Sequence, residues 1–576
     1  MVLKTRYDVG DIPHSEYPRP QMERDSFLCL NGYWDLKLKK GEDLIAVGNI
    51  LVPFSPETLN STIPNGFVLD KKDILVYTRE FEIDESYMRG ATVLHFGAVD
   101  SYCRVYINDK FVGDHRGGYT PFDIDITCEI EKGKNDIRVE CIDTTEDSCG
   151  ARGKQSSTPG TIWYTAQSGI WQTVWIESMP KKYIKDITIK TDTVKKSVTI
   201  FSDYKGEQTA TFFDGDTTIA TLKFENTLTF EYDFELWSPE SPKLYYLQIE
   251  TDSGDNVKTY FGVRSFGISK DSQGKARLTL NDKPYFFNGL LDQGYWSDGL
   301  LTPPSDEAML DEIKLLKDMG FNMIRKHIKL EPMRWYYHCD RLGIVVWQDL
   351  VNGGGEYKFM KIAALPFLGF KHRDDDYAYF ARENEQGRKE YETALYETIG
   401  ALKNCTCIGV WVPFNEGWGQ FDSAKYTQLI KSIDDTRVID SVSGWYDQGV
   451  GKTELRSLHT YYTKLKVPKD TRPVVLSEFG GYSLKIDGHV FNEKKSFGYK
   501  IYKNEEEFAE AIEELYLDRI LPLIKKGLCA CVYTQVSDVE EEINGLVTYD
   551  REYIKISPQR MRAINQKIAN EADKIN

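Results

Sequence analysis

Short runs in which apolar and polar residues alternate fill residues 30 to 180: GYWDLKL, TREFEI, ATVLHFG, CRVYIND, DIRVECID and QTVWIES. A period of two puts every second side chain on one face, so runs of this length separated by turn residues predict an antiparallel β-sandwich of jelly-roll size over residues 1–180. The runs SVTIFSD, QTATFFD, TTIATLKF, LTFEYDF and YYLQIET continue the pattern and predict an immunoglobulin-like sandwich over 181–266. After Phe266 the rhythm changes to strand then helix, beginning with PYFFNGL, the helical SDEAMLDEIKLLKDMG, FNMIRKH, the helical PMRWYYHCDRLG and IVVWQDL. It continues through CIGVWVPFNE, RVIDSVS, LRSLHTYY, PVVLSEFG, a long helix within EEEFAEAIEELYLDRILPLIKK, and LCACVYTQ. Eight strand-helix repeats in roughly 300 residues predict a parallel (β/α)8 barrel, a TIM barrel, over 267–576. An open doubly wound sheet would carry a Gly-rich phosphate turn after its first strand, and none stands there. The mixed stretch from Gly353 to Arg382 reads as an elaborated loop after the third strand.

Length agrees with several cores, since 576 residues exceed what one core organises. The 35 Tyr, 28 Phe and 11 Trp serve either as β-rich core or as platforms for sugar faces, and position decides between them. A net charge of −17 without a dense Lys/Arg run excludes a phosphate backbone or an anionic membrane as partner. The absence of an apolar stretch of signal-peptide or membrane-span length leads to the expectation of a soluble cytoplasmic protein. Cys405/Cys407 and Cys529/Cys531 are C-x-C pairs in apolar runs, expected to be buried free thiols rather than metal ligands. With only eight His and no H-x-H or H-E-x-x-H string, neither a metal nor another cofactor is expected.

In a barrel the functional groups gather where the strands end at their C-terminal edge. Glu416 ends the fourth barrel run, in GVWVPFNEGWGQFD, and Glu478 the seventh, in PVVLSEFGGYS. One such glutamate could simply cap a helix or pair with a lysine. Two, on strands four and seven, can face a sugar from both sides, and carboxyls about 5–5.5 Å apart are what retaining glycoside hydrolysis requires. One must hold a proton for the leaving oxygen while the other attacks the anomeric carbon. Asn415, beside Glu416, is a candidate for the sugar 2-hydroxyl.

The strings PFNEGWGQFD and LSEFGG resemble the acid/base and nucleophile signatures of glycoside hydrolase family 2, the β-galactosidases, β-glucuronidases and β-mannosidases. The resemblance covers essentially the whole chain. YPRPQMERDSFLCLNGYWDL and IWYTAQSGIWQTVW look like the family's sugar-binding jelly roll, LWSPESPKLYYLQIE and YFGVRSF like the close of its middle domain, and GLLDQGYWSDGLLTPPSDEAMLDEIKLLKDMGFNMIRKHIK like its barrel entry. It implies a retaining exo-β-glycosidase with Glu416 as acid/base and Glu478 as nucleophile. Tyr461 matches a tyrosine that in the family lies near the nucleophile, where its hydroxyl would orient the carboxylate, with a packed core tyrosine as the alternative, and His459 on the same run joins the candidate sugar contacts. Asp292, Arg325 and His327 are candidates for sugar hydroxyls or for the nucleophile, with plain ion pairing as the alternative. Trp418, Trp445 and Tyr533 are candidate stacking platforms, of which at least one is expected to fill core. Where much of the family has R-x-x-H-Y-P after strand two, this chain reads Arg325-Lys326-His327-Ile328-Lys329, which puts the role of His327 in doubt. With the eighth strand so near the end of this sequence, the further domains of the large β-galactosidases are not expected to shape the pocket.

The family's β-glucuronidases carry an N-x-K motif after strand eight. Here YTQVSDVEEEINGLVTYDR offers Asp538, Glu540, Glu541 and Glu542, with Arg551 as its first cation, so a uronic acid is disfavoured and a β-D-galactoside is the first choice. A β-glucoside, β-mannoside, arabinoside or glucuronide is the alternative, and Lys326, Lys329, Lys358 or Arg373 could bring a cation from elsewhere. A carbohydrate-binding protein without turnover is the reading from another class. The partner expected is a small glycoside or oligosaccharide, and assembly into a homo-oligomer is left open.

Overall fold

The computed structural model describes residues 3–147, 149–367 and 369–575. The first sandwich packs a four-stranded against a six-stranded sheet. Strand Gly133–Ile142 shows the cause: its residues alternate between buried and partly buried while it pairs antiparallel with Ile74–Ile83. Trp34, Tyr77, Val105 and Ile176 share the core between the sheets. A second sandwich of three and four strands follows, from Ile187–Asp192 to Asn256–Phe261, closed on its own core around Phe212, Phe234 and Phe261.

A small three-stranded antiparallel sheet (Phe266–Lys270, Ala276–Leu280 and Lys283–Pro284) leads into the barrel, whose strands are β1 (Phe287–Asp292), β2 (Met323–Lys326), β3 (Val345–Asp349), β4 (Ile408–Val412), β5 (Val438–Ile439), β6 (Arg456–Thr460), β7 (Val474–Gly480) and β8 (Leu528–Thr534). The hydrogen-bonded order β5-β4-β3-β2-β1-β8-β7-β6 is parallel throughout and curls round on itself. The Ser457 hydroxyl, on β6, reaches Asp440, just past β5, at 2.9 Å. Helices start and stop where local chemistry dictates. Ser305 caps α1 (Asp306–Asp318) by accepting the Ala308 N–H at 3.1 Å, and Gly343, at φ +74°, closes α2 (Met333–Leu342). α3 (Glu385–Leu402) is capped by Asn384, and α4 is Ser423–Ile433.

The helix expected within EEEFAEAIEELYLDRILPLIKK is not one regular helix. It is α-helical over Glu505–Glu514, widens to π-helical turns over Leu515–Ile520 and ends in Leu521–Ile524. Pro522 donates no N–H and crowds the carbonyl one turn back, so the turn before it loosens. All ten cysteines are free, and both C-x-C pairs are buried; Cys405 and Cys407 lie in the approach to β4 rather than on it. No helix among the described residues is long and apolar enough to cross a membrane.

The first sandwich touches the mouth of the barrel. Arg152 and Gly153 donate their N–H groups to the Asn352 carbonyl at 3.0 and 2.9 Å, and the Arg152 guanidinium reaches the Gly354 carbonyl at 3.0 Å.

Candidate active site

Beyond β4 the chain passes through Pro413 and Phe414 and then turns sharply. Asn415 bridges to Ser443, and the Glu416 N–H donates to the Ser443 carbonyl at 2.9 Å. Glu416 has φ +51°, in the left-handed region that a non-glycine residue occupies only where its surroundings impose it. On β7 the pairing with β8 is irregular between Leu476 and Phe479, which turns Glu478 toward the mouth. A Glu416 oxygen, a Glu478 oxygen and a His459 ring nitrogen lie within 4.8 Å of one another. His459 Nδ1 is 2.6 Å from Glu416 Oε1 and 3.4 Å from Glu478 Oε2. These atoms could also ligate a metal ion, but a guanidinium already occupies the cationic position beside Glu478.

That guanidinium belongs to Arg325, on β2 and fully buried. Its Nη1 donates to Glu478 Oε1 at 3.0 Å and to the Ser477 carbonyl at 3.1 Å. Its Nε and Nη2 grip Asp349 at 3.0 and 2.9 Å, and Nη2 also meets Asn415 Oδ1 at 2.9 Å. The Tyr461 hydroxyl donates to Glu478 Oε2 at 2.5 Å, and its ring stacks on Tyr499 at 3.8 Å. Glu478 is thus aimed by a donor on each oxygen. The Asn415 amide nitrogen, buried with no protein partner, remains available for a substrate hydroxyl.

Glu416 is in a different environment. Burial pushes its carboxyl above the usual range, with Lys154, the Trp418 indole and Arg325 offsetting only part of that. Burial likewise pushes the His459 imidazole down to about 4, so the ring is neutral near pH 7. Ser443 donates its hydroxyl to Ser477 at 2.9 Å and sits 3.0 Å from His459 Nε2. Ser443 therefore accepts from Nε2–H, which leaves Nδ1 as the acceptor for a proton on Glu416 Oε1. The chain of hydrogen bonds matches a protonated Glu416.

The remaining expected residues divide. His327 lies inside the site, with Nδ1 2.8 Å from Asp349 Oδ2, and burial holds its imidazole well below the ordinary range. Asp292 ion-pairs with Lys326 and accepts the Gly294 N–H at 2.8 Å, which is the plain ion-pair role. The Trp418 indole N–H points at Glu416 Oε2, 3.3 Å away. Trp445 lies 6.4 Å from the His459 ring and packs with Trp418. Tyr533 is no platform: it is wholly buried, edge-on to Phe479 at 5.7 Å, and its hydroxyl bonds to the Tyr482 backbone. A side chain in the barrel core packs in layers and meets no ligand.

Three of the four cations considered for the pocket are paired elsewhere, and the fourth is exposed. Lys326 and Lys329 ion-pair with Glu331, Lys358 is exposed, and Arg373 binds Asp375 at the surface. The acidic stretch after β8 is a buried wall rather than an open rim. Asp538 pairs with Lys555 at 2.6 Å, Glu540 accepts the Thr165 N–H at 2.8 Å, and Glu542 accepts the Tyr164 hydroxyl at 2.5 Å.

Sequence reasoning missed Asp349, although it ends β3 as Glu478 ends its own strand, and it missed Tyr499. It also missed the contribution of the first sandwich. Trp163 meets Trp418 edge-on at 5.3 Å and stacks with Tyr357 at 6.1 Å, in a wall completed by Phe380 and Tyr446. Lys154, from the same sandwich, is only 8 % exposed.

Three family models match the chain in the order of its domains: the glycosyl hydrolases family 2 sugar binding domain over 52–180, a second glycosyl hydrolases family 2 domain over 174–264, and the family 2 TIM barrel domain over 273–562. The chain belongs to glycosyl hydrolases family 2. Among its family 2 relatives, a β-galactosidase of Thermoanaerobacter pseudethanolicus is 25% identical over 410 residues, covering 66% of this chain and 50% of the relative. A putative β-glucuronidase of Formosa agariphila is 28% identical over 462 residues, covering 71% and 50%. The chain therefore spans about half the length of these curated relatives. Of solved structures, the β-D-glucuronidase of Dictyoglomus thermophilum superposes with a TM-score of 0.74 at 18% identity over 96% of this chain and 98% of that one. A β-galacturonidase of Eisenbergiella tayi gives 0.70 at 18% over 97% and 99%. At such identity the likeness is one of fold.

Proposed function

We propose that this family 2 chain is a retaining exo-β-glycosidase, with a terminal β-D-galactoside as its first-choice substrate. The observation that carries the reading is the close pair Glu416 and Glu478, within 4.8 Å and in opposite environments. In the first step a Glu478 oxygen bonds to the anomeric carbon, the bond from that carbon to the aglycone oxygen breaks, and the Glu416 proton passes to that oxygen. In the second, Glu416 takes a proton from water, the water oxygen bonds to the anomeric carbon, and Glu478 leaves. Arg325 and Tyr461 fix the attacking oxygens, and the Asn415 amide supports a hydrogen bond to the 2-hydroxyl. The choice of a neutral sugar is supported by the acidic wall, where Glu542 is only 3 % exposed and burial disfavours its charged form, with Tyr164, Lys154 and Asn544 offsetting part of that. A sugar carboxylate facing that wall would add a third acidic group.

The test is incubation with a 2-deoxy-2-fluoro-β-galactoside followed by peptide mass mapping, with NMR of the first-formed anomer and kcat/KM for nitrophenyl β-galactoside and β-glucuronide in parallel. Label on Glu478, retention and preference for the galactoside are expected. Label on Glu416 or inversion would overturn the roles, preference for the glucuronide would overturn the sugar, and no turnover of any aryl β-glycoside would leave a binding protein.

A further inference from the structure

The geometry points to Lys154 as a substrate-binding residue that the first sandwich delivers into the catalytic pocket, where it and Glu542 grip one hydroxyl of the terminal sugar from opposite sides. This rests on the neutral-sugar reading above and names the pair that enforces it. Lys154 is nine-tenths buried, yet among the described residues no ion pair holds it, and its Nζ lies 5.5 Å from the centre of the Trp163 ring. Its Nζ is not among the buried side-chain atoms that lack a partner, so the ammonium keeps access to the space in front of it, where a ligand would take the place of water. Its position is built in. Its carbonyl accepts the Tyr164 N–H at 3.0 Å, and the two residues before it are hooked onto Asn352. From Lys154 one route leads through Trp163 and Trp418 to Glu416, and another through Tyr164 to Glu542. Its charge acts on Glu416, Glu542, His327 and His459, groups from four different strand ends.

Glu542 is 3 % exposed, and each of its oxygens already accepts one hydrogen bond, from Tyr164 at 2.5 Å and from Asn544 at 2.9 Å. A carboxylate oxygen has room for one more. Lys154 has donors only. A group that fills the space between them must accept from one and donate to the other, and a hydroxyl does both. A uronate carboxylate would satisfy Lys154 and meet Glu542 as another acceptor.

The experiment measures kcat/KM for the wild type, Lys154→Met, Lys154→Arg and Glu542→Gln on nitrophenyl β-D-galactoside, its monodeoxy analogues and nitrophenyl β-D-glucuronide, with thermal unfolding as the folding control. A lost hydrogen bond to a charged group corresponds to about 10- to 100-fold, the loss expected for Lys154→Met on the galactoside. One monodeoxy analogue should show a similar loss on the wild type, little further loss on Lys154→Met, and the same coupling to Glu542→Gln. If Lys154→Met does not fold, Lys154→Arg and Glu542→Gln carry the coupling test. Unchanged kcat/KM on every glycoside, or losses that add without coupling on every deoxy analogue, overturns the role of Lys154 and leaves the proposed activity standing. A wild-type preference for the glucuronide that Lys154→Met alone removes makes Lys154 a carboxylate anchor, which overturns both this pairing and the neutral sugar. If another neutral glycoside is preferred, only galactose falls, and its deoxy series decides the pairing.

Discussion

Glu416 and His459 share one proton, and their environments decide where it rests. Burial raises the one carboxyl and lowers the imidazole to about 4, and both shifts favour the proton on Glu416 over the ring. Catalysis that needs the acid is therefore present below the raised Glu416 value and lost as pH rises through it. His459→Ala removes the acceptor that favours the protonated form and should move the basic limb of the kcat/KM profile to lower pH. An unmoved limb would show that His459 donates to Glu416 instead. Glu416→Ala should lose most on glycosides with poor leaving groups, since only those need the proton, and azide should restore turnover by attacking the anomeric carbon in place of base-activated water. Equal losses on activated and unactivated aglycones would assign the proton to another group.

At the scale of elements, the turn that carries Lys154 is held by backbone. Gly153 sits at φ +61°, and a Cβ there would lie 2.8 Å from the Tyr119 hydroxyl and 3.1 Å from the Ile328 carbonyl. Gly153→Ala should cost about 1–2 kcal/mol from the left-handed backbone alone, with the clash in addition. It should also lower kcat/KM by displacing Lys154, as chemical denaturation and steady-state kinetics would show; wild-type values in both would mean the turn adapts. This turn also marks where the sequence stopped being legible. Glu416 and Glu478 could be read because period and position coincide: an acid that ends an apolar strand run in a strand-helix series has one place to go. Asp349 ends its strand by the same rule, but no family string surrounds it to single it out. Lys154 and Trp163 carry no local signal, since their meaning depends on a contact with Asn352 some 200 residues away along the chain. Tyr533 was misplaced for the converse reason. In a barrel strand buried on both faces, alternation no longer tells core from mouth.

At the scale of the molecule, the net charge of −17 sets a field that a neutral glycoside ignores and an anionic one must climb. Raising the salt from about 0.01 M to about 0.15 M shortens the screening length from ~30 Å to ~8 Å. The kcat/KM for nitrophenyl β-glucuronide should then rise several-fold while that for the β-galactoside stays flat. A fall for the glucuronide would reveal a local positive field strong enough to reverse the global one. The hook of Arg152 and Gly153 onto the barrel loop has a consequence for descent. Glu416, Glu478 and Glu542 stand on the barrel while Lys154 comes from a sandwich with a core of its own, so on the roles proposed above substitutions at and around Lys154 can shift the choice of sugar while the pair that breaks the bond is inherited intact.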